Sequence, residues 1–325
     1  MCNTNIMSAS EPTAPGHAPA RTLVLFGDSI TQMSFGEGGF GAVLADAFAR
    51  RLDVLNRGFS GYNTRWARFY FGSVFGPGRS DASHLVSSNV SSNVSSNVSP
   101  AAVDATAPPV HELVVLFFGA NDASLEEHNA RQHVPLAEFG ANLAWMCREL
   151  KARGLSERLL LVAPPPVDHA QRLAFQKARY GDAATGVLER TNESAGAYAA
   201  ECERVAAELN VPCCNLWKLM QGVGAARAPA GATADGSDDA SASASASASG
   251  WSHLLSDGLH FTPAGNRFVG AALLQAIEAA YPDISVQPCP FTGSFANSGS
   301  SCAALPELLP WHDKIDHTTF PPYNV

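Results

Sequence analysis

Five short strand candidates, nearly all of them apolar runs, punctuate the chain at residues 22 to 27, 53 to 57, 112 to 118, 158 to 163 and 211 to 216. Most are continuous runs such as Leu113-Val114-Val115-Leu116-Phe117-Phe118, without alternation of apolar and polar positions. A strand of that kind is buried on both faces, as in a parallel sheet covered by helices. Between the runs the period changes to that of a helix. Phe40, Val43, Leu44, Ala47 and Phe48 make one apolar face; Phe139, Leu143, Met146 and Leu150 make a second, with Gly154 placed to stop it; Tyr198, Cys202, Val205 and Leu209 make a third. Thr262-Pro263 is a start signal for a last helix reaching about Ala280. Strand and helix thus alternate. The pattern predicts an α/β fold of three layers, α/β/α, around a mainly parallel five-stranded sheet.

In such sheets ligands bind beyond the carboxyl ends of the strands, and small or polar residues follow three of the predicted ones. Gly27-Asp28-Ser29 follows the first, Asn56-Arg57-Gly58-Phe59-Ser60-Gly61 the second, and Gly119-Ala120-Asn121-Asp122 the third. Far downstream stands Asp257-Gly258-Leu259-His260. A serine hydroxyl becomes a useful nucleophile only when a histidine takes its proton and a carboxylate holds that histidine in one tautomer. Ser29, His260 and Asp257 can fill those roles, and one turn can present base and orienter together. An oxyanion formed on attack needs fixed donors, which the Ser29 and Gly61 backbone N–H groups and the Asn121 amide can supply. Each fragment also has a plain reading: Gly61 as a residue of positive φ, Asn121 as a turn former, Gly27-Asp28-Ser29 as turn chemistry. Asp28 is a poor triad partner for its neighbour and fits better as a side chain bonding amides of its own turn.

Taken together, Gly27-Asp28-Ser29-Ile30-Thr31, Phe59-Ser60-Gly61-Tyr62-Asn63-Thr64, Gly119-Ala120-Asn121-Asp122 and Asp257-Gly258-Leu259-His260 resemble the Ser, Gly, Asn and His blocks of the SGNH or GDSL-type hydrolases, in family order. Pro164-Pro165-Pro166, Asn215-Leu216-Trp217 and Leu255 to Thr262 are similar to the isoamyl acetate-hydrolysing esterase subgroup, as is the stretch Leu309 to Asp316. The resemblance covers residues 22 to 281, with two interruptions. It implies an SGNH, flavodoxin-like domain that hydrolyses short-chain carboxylic esters such as alkyl acetates through an acyl-serine. Ser29 is then nucleophile, His260 base and Asp257 orienter, with Ser29, Gly61 and Asn121 as the oxyanion hole. Ile30 stands where the family motif has leucine, an apolar exchange. Other chemistries of the family stay open: carbohydrate O-acetylesterase, thioesterase, lysophospholipase, or a silent relative that only binds.

Composition trims the alternatives. Residues 1 to 20 read as a disordered segment, 21 to 281 as the hydrolase domain, and 282 to 325 as an extension. Within the domain, about 79 to 108 (with its repeated Val-Ser-Ser-Asn) and 224 to 250 (rich in Ala, Gly and Ser) read as disordered inserts, lacking large apolar residues to offset ordering entropy. Thirty acidic against 21 basic residues, without a basic cluster, argues against nucleic acid and anionic membranes as partners. No run reaches membrane-span length and residues 1 to 20 lack the apolar block of a signal peptide, so a cytoplasmic location is expected. On that expectation the sequons at Asn89, Asn93, Asn97 and Asn192 stay unused, and the seven scattered cysteines are reduced thiols. The partner expected is a small neutral ester; a homodimer is admitted. No phosphate loop or metal constellation is legible, so neither cofactor nor metal is expected.

Several histidines compete for attention. His128 and His133, five apart, read as a solvated loop, and Asp168-His169 as loop structure; His253, preceding Asp257, is the rival to His260. The expected pocket is small and apolar, walled by Met33, Phe35, Phe59, Tyr62, the prolines at 164 to 166 and Trp251.

Overall fold

The computed structural model describes residues 21–76, 110–227 and 250–284. The expectations for residues 1 to 20, for the insert at 79 to 108, for most of that at 224 to 250 and for most of the C-terminal extension lie outside them.

Strands β1 (Thr22–Gly27), β2 (Asp53–Gly58), β3 (Leu113–Phe117), β4 (Leu159–Ala163) and β5 (Cys213–Asn215) form one sheet in the order β2-β1-β3-β4-β5. Every pairing is parallel, Leu23 standing opposite Val54 and Leu113, and Leu161 opposite Cys213. The helices are α1 (Ser29–Gln32), α2 (Phe40–Ala47), α3 (Thr64–Phe69), α4 (Phe71–Phe75), α5 (Glu126–Asn129), α6 (Leu136–Ala152), α7 (His169–Tyr180), α8 (Asn192–Leu209), α9 (Leu216–Arg227) and α10 (Pro263–Ala280). Among the described residues, no helix is long and apolar enough to cross a membrane.

The continuous apolar runs have the cause inferred from them. Alternate side chains of a strand point to opposite faces, so a run without polar members must be covered twice. Leu23, Leu25, Leu113, Val115, Leu160 and Val162 pack with Phe40, Leu44, Val269, Leu273 and Ile277 of α2 and α10. Their neighbours Val24, Phe26, Val114, Leu116, Leu159 and Leu161 pack on the other face with Phe139, Leu143, Met146, Tyr198 and Cys202 of α6 and α8. Three layers result.

Helix ends follow local chemistry. Thr262 caps α10 by accepting from the Gly265 N–H at 3.1 Å, and Thr191 caps α8 through Ser194 N at 3.1 Å. Gly154, at φ 60°, follows α6 and donates to Lys151 O at 2.9 Å.

Three boundaries differ from those read in the sequence. β5 is shorter than 211 to 216, because Pro212 has no N–H for the ladder and offers only its carbonyl, to Leu161 N at 3.0 Å. Helix α9 runs on through residues 224 to 227, the start of the span that the composition reads as the second insert. The domain does not close at 281 either: Pro282–Ile284 forms a further helical turn and Ile284 is buried in the α2/α10 core.

In the order 2-1-3-4-5 the chain moves outward from β1 to β2 and then back across to β3. The crevice beyond the carboxyl ends of β1 and β3 is the switch point of such a sheet, where ligands bind. Ser29 begins just after β1, and Asn121 lies just after β3.

Candidate active site

Ser29 is the first residue of α1, pinned from two sides. Asp28 caps that helix, its Oδ1 accepting from Ile30 N at 2.9 Å, the role expected from its place in the turn. Asn56 of β2 donates its amide to Thr31 O (3.0 Å) and Gln32 O (3.1 Å), tying the serine turn to the neighbouring strand.

The turn at 257 to 260 is built by its own carboxylate. Asp257 Oδ1 accepts from Leu259 N (3.0 Å) and His260 N (2.8 Å), while Ser256 N donates to His260 O at 2.8 Å. Gly258 has φ +80°, and a Cβ there would stand 2.5 Å from Asp168 O, so only glycine fits. The anchored loop places His260 Nε2 2.9 Å from Ser29 Oγ and His260 Nδ1 2.8 Å from Asp257 Oδ2. An ionised carboxylate only accepts, so Nδ1 carries the proton and Nε2 turns a lone pair on the serine. Burial works against ionising Asp257, but the His260 ring and backbone hydrogen bonds, the His260 charge and Arg172 together hold its carboxyl well below the usual range. His253 is exposed and contributes its carbonyl to Thr262 Oγ1, away from the serine.

Gly61 and Asn121 meet Ser29 in one cleft of about 800 Å³, which Asp257 and His260 also line. Gly61 has φ +80°, so the turn reading of that glycine holds and is compatible with a second role. The Asn121 side chain is 4 % exposed overall and doubly fixed: Nδ2 donates to Tyr62 O at 2.8 Å, and Oδ1 accepts from Arg190 Nη2 at 2.9 Å. One Nδ2 hydrogen is left for the cleft. All five candidate residues are therefore brought together, in an arrangement able to deprotonate a serine and to receive an oxyanion beside it.

Two acids lie beneath. Burial raises the Asp28 carboxyl to about 6, against hydrogen bonding from Ile30 and the nearby positive charges of His260 and Arg190. Burial likewise raises Asp122 to about 7, against its bonds from Thr64 N and Oγ1, with the Asp28 charge adding to the rise.

The walls of the cleft correct the sequence expectation. Phe175, Gln176, Arg179 and Tyr180 of α7, Val187, Glu189 and Arg190 of the following segment, and Glu127 and His128 of α5 line it, a surface on which polar and apolar side chains are mixed. Phe59 and Tyr62 instead border a separate cavity of about 310 Å³, and Met33 a depression of about 200 Å³ on the other side of His260. Phe35 lies against Gly41 of α2, Trp251 packs with Met220 and Leu254, and the three prolines are buried. Apolar type alone does not say which way a loop side chain turns. His128 is exposed as expected, though on the short helix α5 at the cleft wall and not in a loop, and His133 Nδ1 meets Ser124 O at 2.6 Å. Asp168 and His169 are structural as expected: the first caps α7 through Gln171 N, the second accepts from Asn192 N.

Four residues went unread in the sequence. Arg172 donates to Asp257 Oδ2 (3.1 Å) and to Glu189; Glu189 pairs in turn with Arg190; and Gln132 accepts from Arg190 while donating to Gly61 O at 3.1 Å. Glu189-Arg190 just ahead of the capping Thr191 was the one available signal, a charged pair directly before a helix start. Among the described residues, no group of three or more His, Cys, Asp or Glu could hold a metal ion.

Comparison with known proteins identifies the family. The GDSL-like lipase/acylhydrolase family matches residues 23–273. A GDSL esterase/lipase of Arabidopsis thaliana is 36 % identical over 83 % of this chain and 89 % of its own. The isoamyl acetate-hydrolyzing esterase 1 homolog of Bos taurus is 39 % identical over 79 % of this chain and 81 % of its own. Among solved structures, the lipase/acylhydrolase of Enterococcus faecalis superposes with a TM-score of 0.51 at 21 % identity, covering 83 % of this chain and 98 % of that one, which shows a shared fold. The chain belongs to the GDSL-like lipase/acylhydrolase family and is a carboxylic ester hydrolase.

Proposed function

We propose that the protein hydrolyses short-chain carboxylic esters, acetates foremost, through an acyl intermediate on Ser29. The observation that carries this reading is the line of contacts from Ser29 Oγ through His260 to Asp257, opening on the same cleft as Gly61 and Asn121. Ser29 Oγ attacks the ester carbonyl while His260 Nε2 takes its proton, and the carbonyl π electrons move to the oxygen. That oxyanion is met by the Ser29 and Gly61 N–H groups and the Asn121 amide. As the tetrahedral centre collapses, His260 returns the proton to the departing alkoxide and the alcohol leaves. A water molecule, deprotonated by His260, then attacks the acyl-serine, and on collapse the bond to Ser29 Oγ breaks, His260 returns the proton to Oγ and the acid leaves. Asp257 stays ionised throughout.

Acyl length follows from the cleft. A long chain gains about 0.8 kcal/mol per methylene only where it meets apolar surface, and in this cleft Phe175, Tyr180, Val187 and Leu259 are interspersed with Arg172, Gln176, Arg179, Glu189 and Arg190, so apolar contact is broken after a few carbons. The names of the mammalian relatives, isoamyl acetate-hydrolyzing esterase 1 homologs of Bos taurus and Mus musculus, point to acetate esters as the first substrates to try. A fluorophosphonate probe followed by peptide mass mapping tests the mechanism: the label is expected on Ser29 and to vanish in Ser29→Ala. Labelling that persists in that variant removes Ser29 as nucleophile.

A further inference from the structure

The guanidinium of Arg190 is buried, the side chain only 5 % exposed, in a position where it touches no group expected to react. Its bonds go to Asn121, to the carbonyl of Ala120 before it, to Gln132, which in turn holds Gly61, and to Glu189 of the ion chain behind the triad. Nε donates to Ala120 O and Nη2 to Asn121 Oδ1, both at 2.9 Å, so the backbone before Asn121 and its amide are held by one planar group. Nη2 also donates to Gln132 Oε1 at 2.6 Å, and Gln132 Nε2 donates to Gly61 O at 3.1 Å. Nη1 donates to Glu189 Oε1 at 2.9 Å; the same oxygen accepts from Arg172 Nε at 2.7 Å, and Arg172 Nη1 reaches Asp257 Oδ2 at 3.1 Å.

We infer that Arg190 is the positioning residue of the oxyanion site, setting Asn121 directly and Gly61 through Gln132, and registering both against Asp257 through Glu189 and Arg172. The inference rests on the proposed roles of Asn121 and Gly61.

The physical basis is the symmetry of an amide. The oxygen and nitrogen of an asparagine side chain are nearly equal in size, and a half-turn would put an acceptor where the oxyanion forms. A cation against Oδ1 forbids that turn, since the flipped amide would aim N–H at N–H. Lysine cannot replace the fork: one ammonium cannot reach Ala120 O, Asn121, Gln132 and Glu189 from a single point. The backbone that carries Arg190 is itself fixed. Ser124 and Arg190 form an antiparallel bridge, Leu125 N donates to Glu189 O at 2.9 Å, and Thr191 caps α8 immediately afterwards. The segment that follows α7 is thus tied to the segment that follows β3, beside the residue whose amide it orients.

The test is a double-mutant cycle on an acetate ester, with active sites counted by fluorophosphonate titration. Arg190→Lys is expected to lower kcat about 10- to 100-fold with KM within threefold of the parent, because the donors act on the transition state. In an Asn121→Ala background the same substitution is expected to cost less than about threefold, since the group it orients is gone. Gln132→Met, which frees the Gly61 carbonyl without removing a charge, provides the second arm should Arg190→Lys not fold: it is expected to lower kcat by about 5- to 30-fold at unchanged KM. Losses that multiply independently in the Arg190→Lys, Asn121→Ala double variant overturn the inference, as does either single variant with kcat near the parent. Should Asn121→Ala itself retain parental kcat, the proposed role of Asn121 falls first, and the two failures are distinguished.

Discussion

Replacing Asp257 by asparagine changes one atom's chemistry at the tightest point of the site. Asp257 Oδ1 accepts two backbone N–H groups, from Leu259 and His260, and Oδ2 accepts from His260 Nδ1 and Arg172 Nη1. An asparagine must choose. With its oxygen in the Oδ1 position it keeps both backbone bonds, but its NH₂ then faces His260 Nδ1, which can only respond by giving up its proton. The proton moves to Nε2, and the ring presents a donor to Ser29 instead of a base. The alternative rotamer keeps an acceptor toward Nδ1 but sets NH₂ against two backbone N–H groups. It forfeits two hydrogen bonds at about 1 kcal/mol each and leaves buried donors unmatched at about 1 to 3 kcal/mol. The first orientation forfeits one bond, that from Arg172 Nη1, whose guanidinium keeps Glu189, whereas the second forfeits two, so the unproductive orientation is the favoured one. A carboxylate-to-amide change of this kind in a Ser-His-Asp triad lowers kcat about 10⁴-fold, or about 5.5 kcal/mol. The expected result for Asp257→Asn is a kcat loss of 10³- to 10⁴-fold on 4-nitrophenyl acetate, with KM little changed. A melting curve should show a folded protein, since the Oδ1 anchor of the turn survives. Activity within tenfold of the parent would refute the tautomer argument and leave Asp257 as a loop anchor only.

Asp28 and Asp122 titrate upward on folding, to about 6 and about 7, so the native state binds more protons than the unfolded chain between roughly pH 4 and 7. Their contribution to stability is full below pH 4 and is lost as pH rises through 6 to 7, by a few kcal/mol; urea midpoints from pH 4 to 8 should show the decline, and Asp122→Asn should flatten it. An unchanged slope in that variant counts against burial as the cause. On a panel of 4-nitrophenyl esters, acetyl to butyryl substrates should outrun octanoyl and longer ones; kcat/KM rising steadily to palmitoyl would mean that long chains find an apolar groove not formed by the cleft walls.

Which parts of this were legible beforehand depends on how many residues a property needs. The sheet was legible because burial on two faces demands unbroken apolar runs such as Leu159 to Ala163, and the helices because Phe139, Leu143, Met146 and Leu150 repeat at one period. The triad was legible because Asp257 and His260 share a single turn and Ser29 closes a strand. Nothing comparable marks Arg172 or Gln132. On the pattern of α7, Arg172 and Gln176 read as polar helix positions, yet they form its buried face because Glu189 and Asp257 are there to receive them. That pairing spans 17 and 85 residues of sequence. The pocket walls failed for a related reason: Phe59 and Tyr62 flank Gly61, but the turn at φ +80° sends their rings to the far side of the loop, against Phe26 and Tyr70.

The charges behind the triad alternate in sign: Asp257, Arg172, Glu189, Arg190. Each is largely buried, and one such charge alone would be costly to desolvate. Alternation sets Glu189 between two guanidiniums and Asp257 against one, so four ionised groups sit in the interior at no net charge. Burial pushes Glu189 up, yet Arg172 and Arg190 bring its carboxyl below the usual range. Neutralising the central Glu189 would take the paired carboxylate from both guanidiniums at once, which makes it the link that keeps the chain stiff. Stiffness is what an oxyanion site requires, since donors must already stand where charge will form and not reorganise as it forms. The same four residues that allow burial of ions therefore also fix the distance between the proton-handling side of the cleft, at Asp257 and His260, and its charge-receiving side, at Asn121 and Gly61.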